Sequence, residues 1–256
     1  MTRPVIDNFT WDSYRNLLEL VRESGYTFAS YDNHEQYESP CIVRHDIDAS
    51  LERAVDMARF EARCVPDLQA TYFVLVSGNW YNIHSKKSRR CLQMIQEYGH
   101  AIGLHFDDTQ YENDDNPDAF CANVTRELTL LQEAANATVT SISMHRPRPE
   151  FLDSDFQFPN LHNTYSDVFY NQFKYLSDSA MRWREDAYKV ITSGHYPQLQ
   201  ILTHPIWYGE DQKEVRDRLA HILEQGRHER YELMDETFNQ LHFLIQEIRS
   251  HENAPA

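Results

Sequence analysis

A chain of 256 residues, 41% of them hydrophobic, can bury one large core or two small ones. Its formal charge of −16 offers no general positive field to a nucleic-acid backbone or an anionic membrane surface. No run approaches the apolar length of a membrane span, Met1 to Asn8 lacks the apolar stretch of a secretory leader, and the four cysteines fall singly with no C-x-x-C pair. A cytoplasmic protein with reduced thiols is therefore expected.

Taken in order, Trp11 to Glu23 carries Tyr14, Leu17, Leu18, Leu20 and Val21 at helical spacing, with Asp12 as the expected cap and Gly25 as the stop. Cys41-Ile42-Val43-Arg44-His45-Asp46-Ile47-Asp48 opens with a β-branched run suited to a buried strand and ends in two carboxylates one residue apart. Side chains alternate along a strand, so Asp46 and Asp48 share a face while His45 points the other way. Two carboxylates aimed at one spot repel each other unless a cation or a shared proton lies between them. A helix from Ser50 to Cys64 follows, then a buried strand over Ala70 to Val76 and a helix from about Ser88 to Tyr98 stopped by Gly99.

Ala101-Ile102-Gly103-Leu104-His105-Phe106-Asp107-Asp108 repeats the design of an apolar strand ending in ligand-type side chains. A helix over Asp118 to Ala135 leads to a strand from Val139 to Met144 that runs into His145-Arg146-Pro147. Pro149 to Asn171 has no clear period, as expected of a long loop. Lys174 to Asp178 and Gln198 to His204 are the last strands, the second running into Pro205-Ile206-Trp207, and Glu210 to about Arg249 reads as charged helix that Gly226 can interrupt. No phosphate-cradling glycine motif, linker or repeat occurs. Strands alternating with helices predict an α/β fold with a mainly parallel sheet, one domain over 1–256, and polar groups gathered at strand carboxyl ends.

Five stretches in order, Arg44-His45-Asp46-Ile47-Asp48, Ala70-Thr71-Tyr72-Phe73-Val74, Gly99-His100-Ala101-Ile102-Gly103-Leu104-His105, His145-Arg146-Pro147 and Leu202-Thr203-His204, resemble the polysaccharide deacetylases, the NodB-like family 4 carbohydrate esterases. The resemblance implies a distorted (β/α) barrel of about seven parallel strands with a core over about 38–208, an N-terminal helix at 11–24 and C-terminal helices at 211–249. It implies a divalent metal, zinc first with cobalt or nickel as alternatives, held by one Asp and two His. By position Asp46 is the general base, Asp48 and His105 are metal ligands, and His204 is the late general acid. The activity implied is removal of an N-acetyl or similar acyl group from an amino sugar or glycoconjugate precursor; the lack of a leader-like stretch leads us to expect a small nucleotide- or lipid-linked sugar over a wall polymer.

The family's second metal histidine falls at Thr109, so the third ligand is left to Asp107, ranked first, then His145, with Asp108 a further oxygen candidate. Arg146, Asp178, Trp183 and Trp207 are substrate contacts or orienters, Trp207 ahead of Trp183 because it follows His204 by three residues. His100 is expected to be structural, and His45 to be structural or to support a residue of the site from behind. Two other readings stay open: hydrolysis of a non-sugar amide, and a catalytically silent sugar-binding protein.

Overall fold

The computed structural model describes residues 4–111, 116–148, 151, 156–238 and 241–252, with side chains as far as 249. The chain divides into two compact units, 1–212 and 213–256. The first unit contains helix α1 (Trp11–Glu23), strands β1 (Thr27–Ala29) and β2 (Pro40–Ile47), α2 (Leu51–Cys64), β3 (Thr71–Leu75), α3 (Lys86–Glu97) and β4 (Ala101–Phe106). It continues through α4 (Pro117–Ala135), β5 (Ser141–Met144), β6 (His162–Asn163), β7 (Lys174–Ser177), α5 (Ala187–Thr192) and β8 (Leu199–Thr203). The second unit holds α6 (Val215–Thr237) and α7 (His242–Glu252). No described helix is long and apolar enough to cross a membrane.

Seven strands form one curled parallel path, β6-β5-β4-β3-β2-β8-β7, a half-barrel surrounded by helices. The eighth strand, β1, pairs with β2 over Pro40 to Ile42, leaving Arg44 to Ile47 on that edge to β3. The α/β fold expected from the alternation is thus observed, with β1 and β6 as additions the sequence pattern did not mark. Strands β2, β3 and β8 are buried at every position, which explains why they read as continuous apolar runs and not as alternating ones.

The helix ends follow local chemistry. Thr10, not Asp12, caps α1, its hydroxyl accepting from Ser13 N while the Ser13 hydroxyl accepts from Thr10 N; Asp12 instead pairs with Arg15 at 2.6 Å. Gly25 adopts φ +90°, a conformation a side chain would oppose, and the helix stops there. Helix α6 runs straight through Gly226, so the interruption falls after Thr237 instead.

Strands β6 and β7 are consecutive in the chain yet lie at opposite ends of the sheet path. The connection between them includes one π-helical turn, Asp167–Gln172, and Gln200 of β8 ties it inward by donating to Phe169 O at 2.7 Å and Thr164 O at 3.4 Å. Tyr31 completes the tie by donating to Gln200 Oε1 at 2.6 Å. Tyr31, Ile42, Phe73, Phe169 and Phe173 form an apolar cluster beside this junction. The aperiodic stretch from Pro149 to Asn171 is therefore in part structured; residues 149, 150 and 152–155 lie outside the described residues.

On the opposite face of β2, His45 meets a fully buried Glu61 of α2. Glu61 accepts from His45 Nε2 at 2.9 Å, from the Tyr72 hydroxyl at 2.6 Å and from the Tyr14 hydroxyl, while His45 Nδ1 reaches Thr203 Oγ1 at 2.7 Å. His100 lies 3.5 Å from the same carboxylate and accepts from Ala70 N. Every buried polar group in this network has a partner, which burial requires. His45 and His100 are thus structural, as their strand parity and position suggested.

Candidate metal centre and active site

Parallel strands place their carboxyl ends along one rim, so side chains at the ends of β2, β4, β5 and β8 converge although they are far apart in sequence. Asp48 follows β2, His105 is the penultimate residue of β4, His145 follows β5 and His204 follows β8. The register explains the meeting of the two central histidines. His105 pairs with Ser143, and His145 is two residues further along the same face of β5, its amide continuing the ladder to Phe106 O at 2.8 Å.

The distances are those of a ligand set. His105 Nε2 and His145 Nδ1 are 3.1 Å apart, and each lies 3.3 Å from Asp48 Oδ1. Nitrogen and oxygen ligands at about 2.0–2.1 Å from a tetrahedral ion stand roughly 3.3 Å from one another, so three such atoms match one face of a tetrahedron. Asp48 Oδ1 is buried without a hydrogen-bond partner among the described residues. His105 Nδ1 lies 3.2 Å from Ser143 O, which fixes that nitrogen as the donor and leaves Nε2 with its lone pair toward the cluster. Burial works to raise the Asp48 pKa, but the neighbouring imidazoles of His105, His145 and His204 carry it below the ordinary carboxylate range. These three residues fit a divalent cation of the kind imidazole and carboxylate both bind.

Asp107 does not join them. Strand β4 ends at Phe106, and the Asp107 carboxylate turns back to accept from Thr109 N at 3.2 Å, Thr109 Oγ1 at 2.6 Å and Gln110 Nε2 at 3.0 Å. It caps the short 3-10 turn that Thr109 occupies, so the second place in the ranking, His145, supplies the third converging atom. Asp108 pairs with Arg148 at 2.7 Å.

Asp46 lies on the same face as Asp48, with Oδ2 3.7 Å from His105 Nε2. Arg44, fully buried two residues earlier, donates from Nη2 to that same oxygen at 2.9 Å. Its guanidinium is held over the rings of Tyr165 at 5.2 Å, Phe73 at 5.3 Å and Tyr175 at 6.0 Å. Phe73 in turn depends on Gly103, because a Cβ there would stand 2.5 Å from the ring. Arg44 entered the sequence reading only as part of a motif; the even spacing Arg44, Asp46, Asp48 was the available signal that all three share a face.

His204 completes the rim. Its Nδ1 meets Asp178 Oδ1 at 2.6 Å, its backbone N–H donates to Asp178 Oδ2 at 3.1 Å, and Nε2 faces Asp48 Oδ2 at 3.9 Å. Burial works to lower the His204 pKa, but the charge and hydrogen bond of Asp178, with Asp48 and Asp46 beyond, carry it up to about 9. Asp178 is wholly buried, which makes it the orienter of His204 among the two roles considered for it. Tyr81, unmarked in the sequence, spans the neighbouring strands by donating to Ile47 O at 2.8 Å and accepting from Leu75 N at 3.0 Å. Of the remaining expected contacts, Arg146 is exposed beyond β5, Trp183 is half-buried, and Trp207 is buried in the turn after His204.

No family model matches the chain, and no curated protein sequence matches it. Among solved structures it is similar to the Streptococcus pyogenes deacetylase PplD in complex with acetate, at 11% identity over 76% of this chain and 81% of that one, with a TM-score of 0.43. It is similar to BA3943, a CE4 family pseudoenzyme from Bacillus anthracis, at 15% identity and a TM-score of 0.42 over 73% of this chain, spanning 61% of that one. The family 4 acetyl xylan esterase from Clostridium thermocellum in complex with a cobalt ion is similar at 14% identity over 72% of this chain and 83% of that one, with a TM-score of 0.41.

Proposed function

We propose that this chain is a metal-dependent hydrolase that removes an N-acetyl or similar acyl group from an amino sugar or glycoconjugate. The observation that carries the reading is the convergence of Asp48, His105 and His145 at mutual distances of 3.1–3.3 Å, between a buried carboxylate, Asp46, and an oriented histidine, His204. Asp48, His105 and His145 would hold the cation, zinc first on its preference for imidazole and carboxylate, with cobalt or nickel as alternatives. Such an ion supplies Lewis-acid polarisation of a carbonyl and lowers the pKa of water.

The proton transfers fall to the flanking residues. Asp46 has one oxygen fixed by Arg44 and the other, Oδ1, free of protein partners among the described residues, so it is oriented to take a proton from an attacking water through Oδ1. His204 has Nδ1 committed to Asp178, which leaves Nε2 as the atom that delivers a proton to the departing amine. Loss of that amine from a tetrahedral centre needs the proton, since an amide anion is a poor leaving group.

The test loads metal-free protein with zinc, cobalt or nickel, measures metal per chain, and follows acetate release from N-acetylated amino sugars beside non-sugar amides. Near-stoichiometric metal with release from the sugars is expected. Failure to take up any of the three ions would refute the metal centre, and release from the non-sugar amides alone would move the substrate class.

A further inference from the structure

The second compact unit has its apolar side chains on the outside. Of the large hydrophobic residues described in α6, α7 and the turn between them, Val215, Leu219, Leu223, Leu233, Met234, Phe238, Leu241, Phe243, Leu244 and Ile248 are 39–76% exposed, and among those described only Ile245 is buried below 9%. The two helices are antiparallel, and their visible bonds are polar: Asp235 takes His242 at 3.3 Å and Gln246 at 3.0 Å, and His228 meets Arg249 at 2.6 Å. A pair of helices cannot bury its own apolar faces without further layers, which is why such hairpins occur in bundles.

We propose that this hairpin is the interface through which two copies of the chain pair, as a four-helix arrangement around a two-fold axis. Three observations select a second copy. First, the described residues of 1–212 offer nothing comparable, since the exposed large hydrophobics among them, Val5, Tyr37, Trp80, Val168 and Tyr196, are single residues from five separate segments. The matching surface is the same unit of another molecule, the self-complementary condition of a two-fold interface. Second, the ten side chains, at roughly 150–250 Å² when whole and about half exposed, present on the order of 1,000 Å² of apolar surface per copy. Half of that covered on each partner reaches the roughly 1,000 Å² a specific interface needs. Third, the polar positions mix both signs: residues 213–256 hold nine acidic and six basic side chains, a net of −3. A helix that lies on a membrane carries a Lys/Arg-rich polar face, and this one does not.

The stripe on α6 also sets the geometry. Leu219 and Leu223 precede Gly226, Leu233 and Met234 follow it, and a Cβ at Gly226 would meet nothing within 4 Å. A bare backbone at mid-stripe lets two helices approach closely, and an antiparallel crossing there brings Leu219 of one copy to Leu233 of the other, seven residues either side of the crossing.

The experiment is sedimentation of the full chain from about 1 to 100 µM, with the Leu219→Glu/Leu223→Glu variant and Leu233→Glu beside it. A wild-type dimer is expected, weakened at least 10²-fold by either variant with helix content retained, because the substituted side chains already face outward. A second readout covers a variant that fails to fold: Leu219→Cys and Leu233→Cys chains, mixed under oxidation, should cross-link to each other well above either chain alone or the wild type. A wild type that stays monomeric at 100 µM, a dimer unaffected by the glutamates, or a hairpin that binds lipid vesicles in place of pairing would overturn the proposal.

Discussion

His105 Nε2 and His145 Nδ1 stand 3.1 Å apart with their rings at 86°, two imidazole nitrogens brought together from neighbouring strands. Both also sit 3.3 Å from one carboxylate oxygen, an arrangement that one cation bound to all three atoms would satisfy.

His145→Ala and His105→Ala should therefore each lower metal affinity at least tenfold, because one of three protein ligands is gone. Asp107→Asn should keep the metal, since that carboxylate is spent on Thr109 and Gln110. Elemental analysis after dialysis against limiting zinc decides between them; metal loss in Asp107→Asn with retention in His145→Ala would restore the ranking drawn from strand parity.

Asp46 and Asp48 share a face and should fail differently. Asp48→Asn should lose metal and turnover together, whereas Asp46→Asn should keep the metal and lose turnover by roughly 10²-fold to 10⁴-fold, the range for a positioned general base. Metal content measured beside the rate of acetate release reads both; the reverse pattern would exchange the two roles.

The buried carboxylate of Glu61 predicts an acid limit to stability. Burial works to raise its pKa, but the charge and hydrogen bond of His45, with His100 and Tyr14, carry it down to about 2. A carboxylate depressed in the folded state contributes stability that is complete above its unfolded pKa of about 4.5 and is lost as pH falls toward 2, on the order of 3 kcal/mol in all. Urea denaturation between pH 6 and 2 should show that decline in wild type and a shallower one in Glu61→Gln, whose stability at pH 6 should already be lower by about 3–5 kcal/mol through the broken buried pair. Parallel pH dependences would remove Glu61 from the account.

Gly103→Ala tests the floor under Arg44. The added methyl would meet the Phe73 ring at 2.5 Å, and the ring is locked between strands, so overpacking should cost about 1–3 kcal/mol. A thermal midpoint equal to wild type would mean that the ring moves freely.

How much of this was legible depends on whether the cause was local or tertiary. The buried strands announced themselves, because β2, β3 and β8 are covered on both faces and read as apolar runs. Asp46, Asp48, His105 and His204 stood out for the same reason, each closing such a run. Asp107 misled because parity with His105 holds only while the strand continues, and the chain turns at Asp108 under the pull of Asp107's own hydrogen bonds. The pairing of Asp178 with His204 depends on β7 and β8 lying side by side in register, Ser177 against Leu202, which no local pattern encodes. Strand β6 is two residues long and too short for any period to show.

The open edge between β6 and β7 sets a boundary in how the first unit loosens. Backbone amides of β2 and β3 are locked in ladders on both sides, so their exchange with solvent deuterium requires the sheet itself to come apart. The π-helical turn between the edge strands pairs with no strand among the described residues and is held by the Gln200 amide at Phe169 O and by the packing of Phe169 against Tyr31 and Phe173, so it can lift while every ladder stays closed. Its protons are the ones that report the smallest opening of this half-barrel, and Gln200 is the latch whose removal would widen that opening without thinning the sheet.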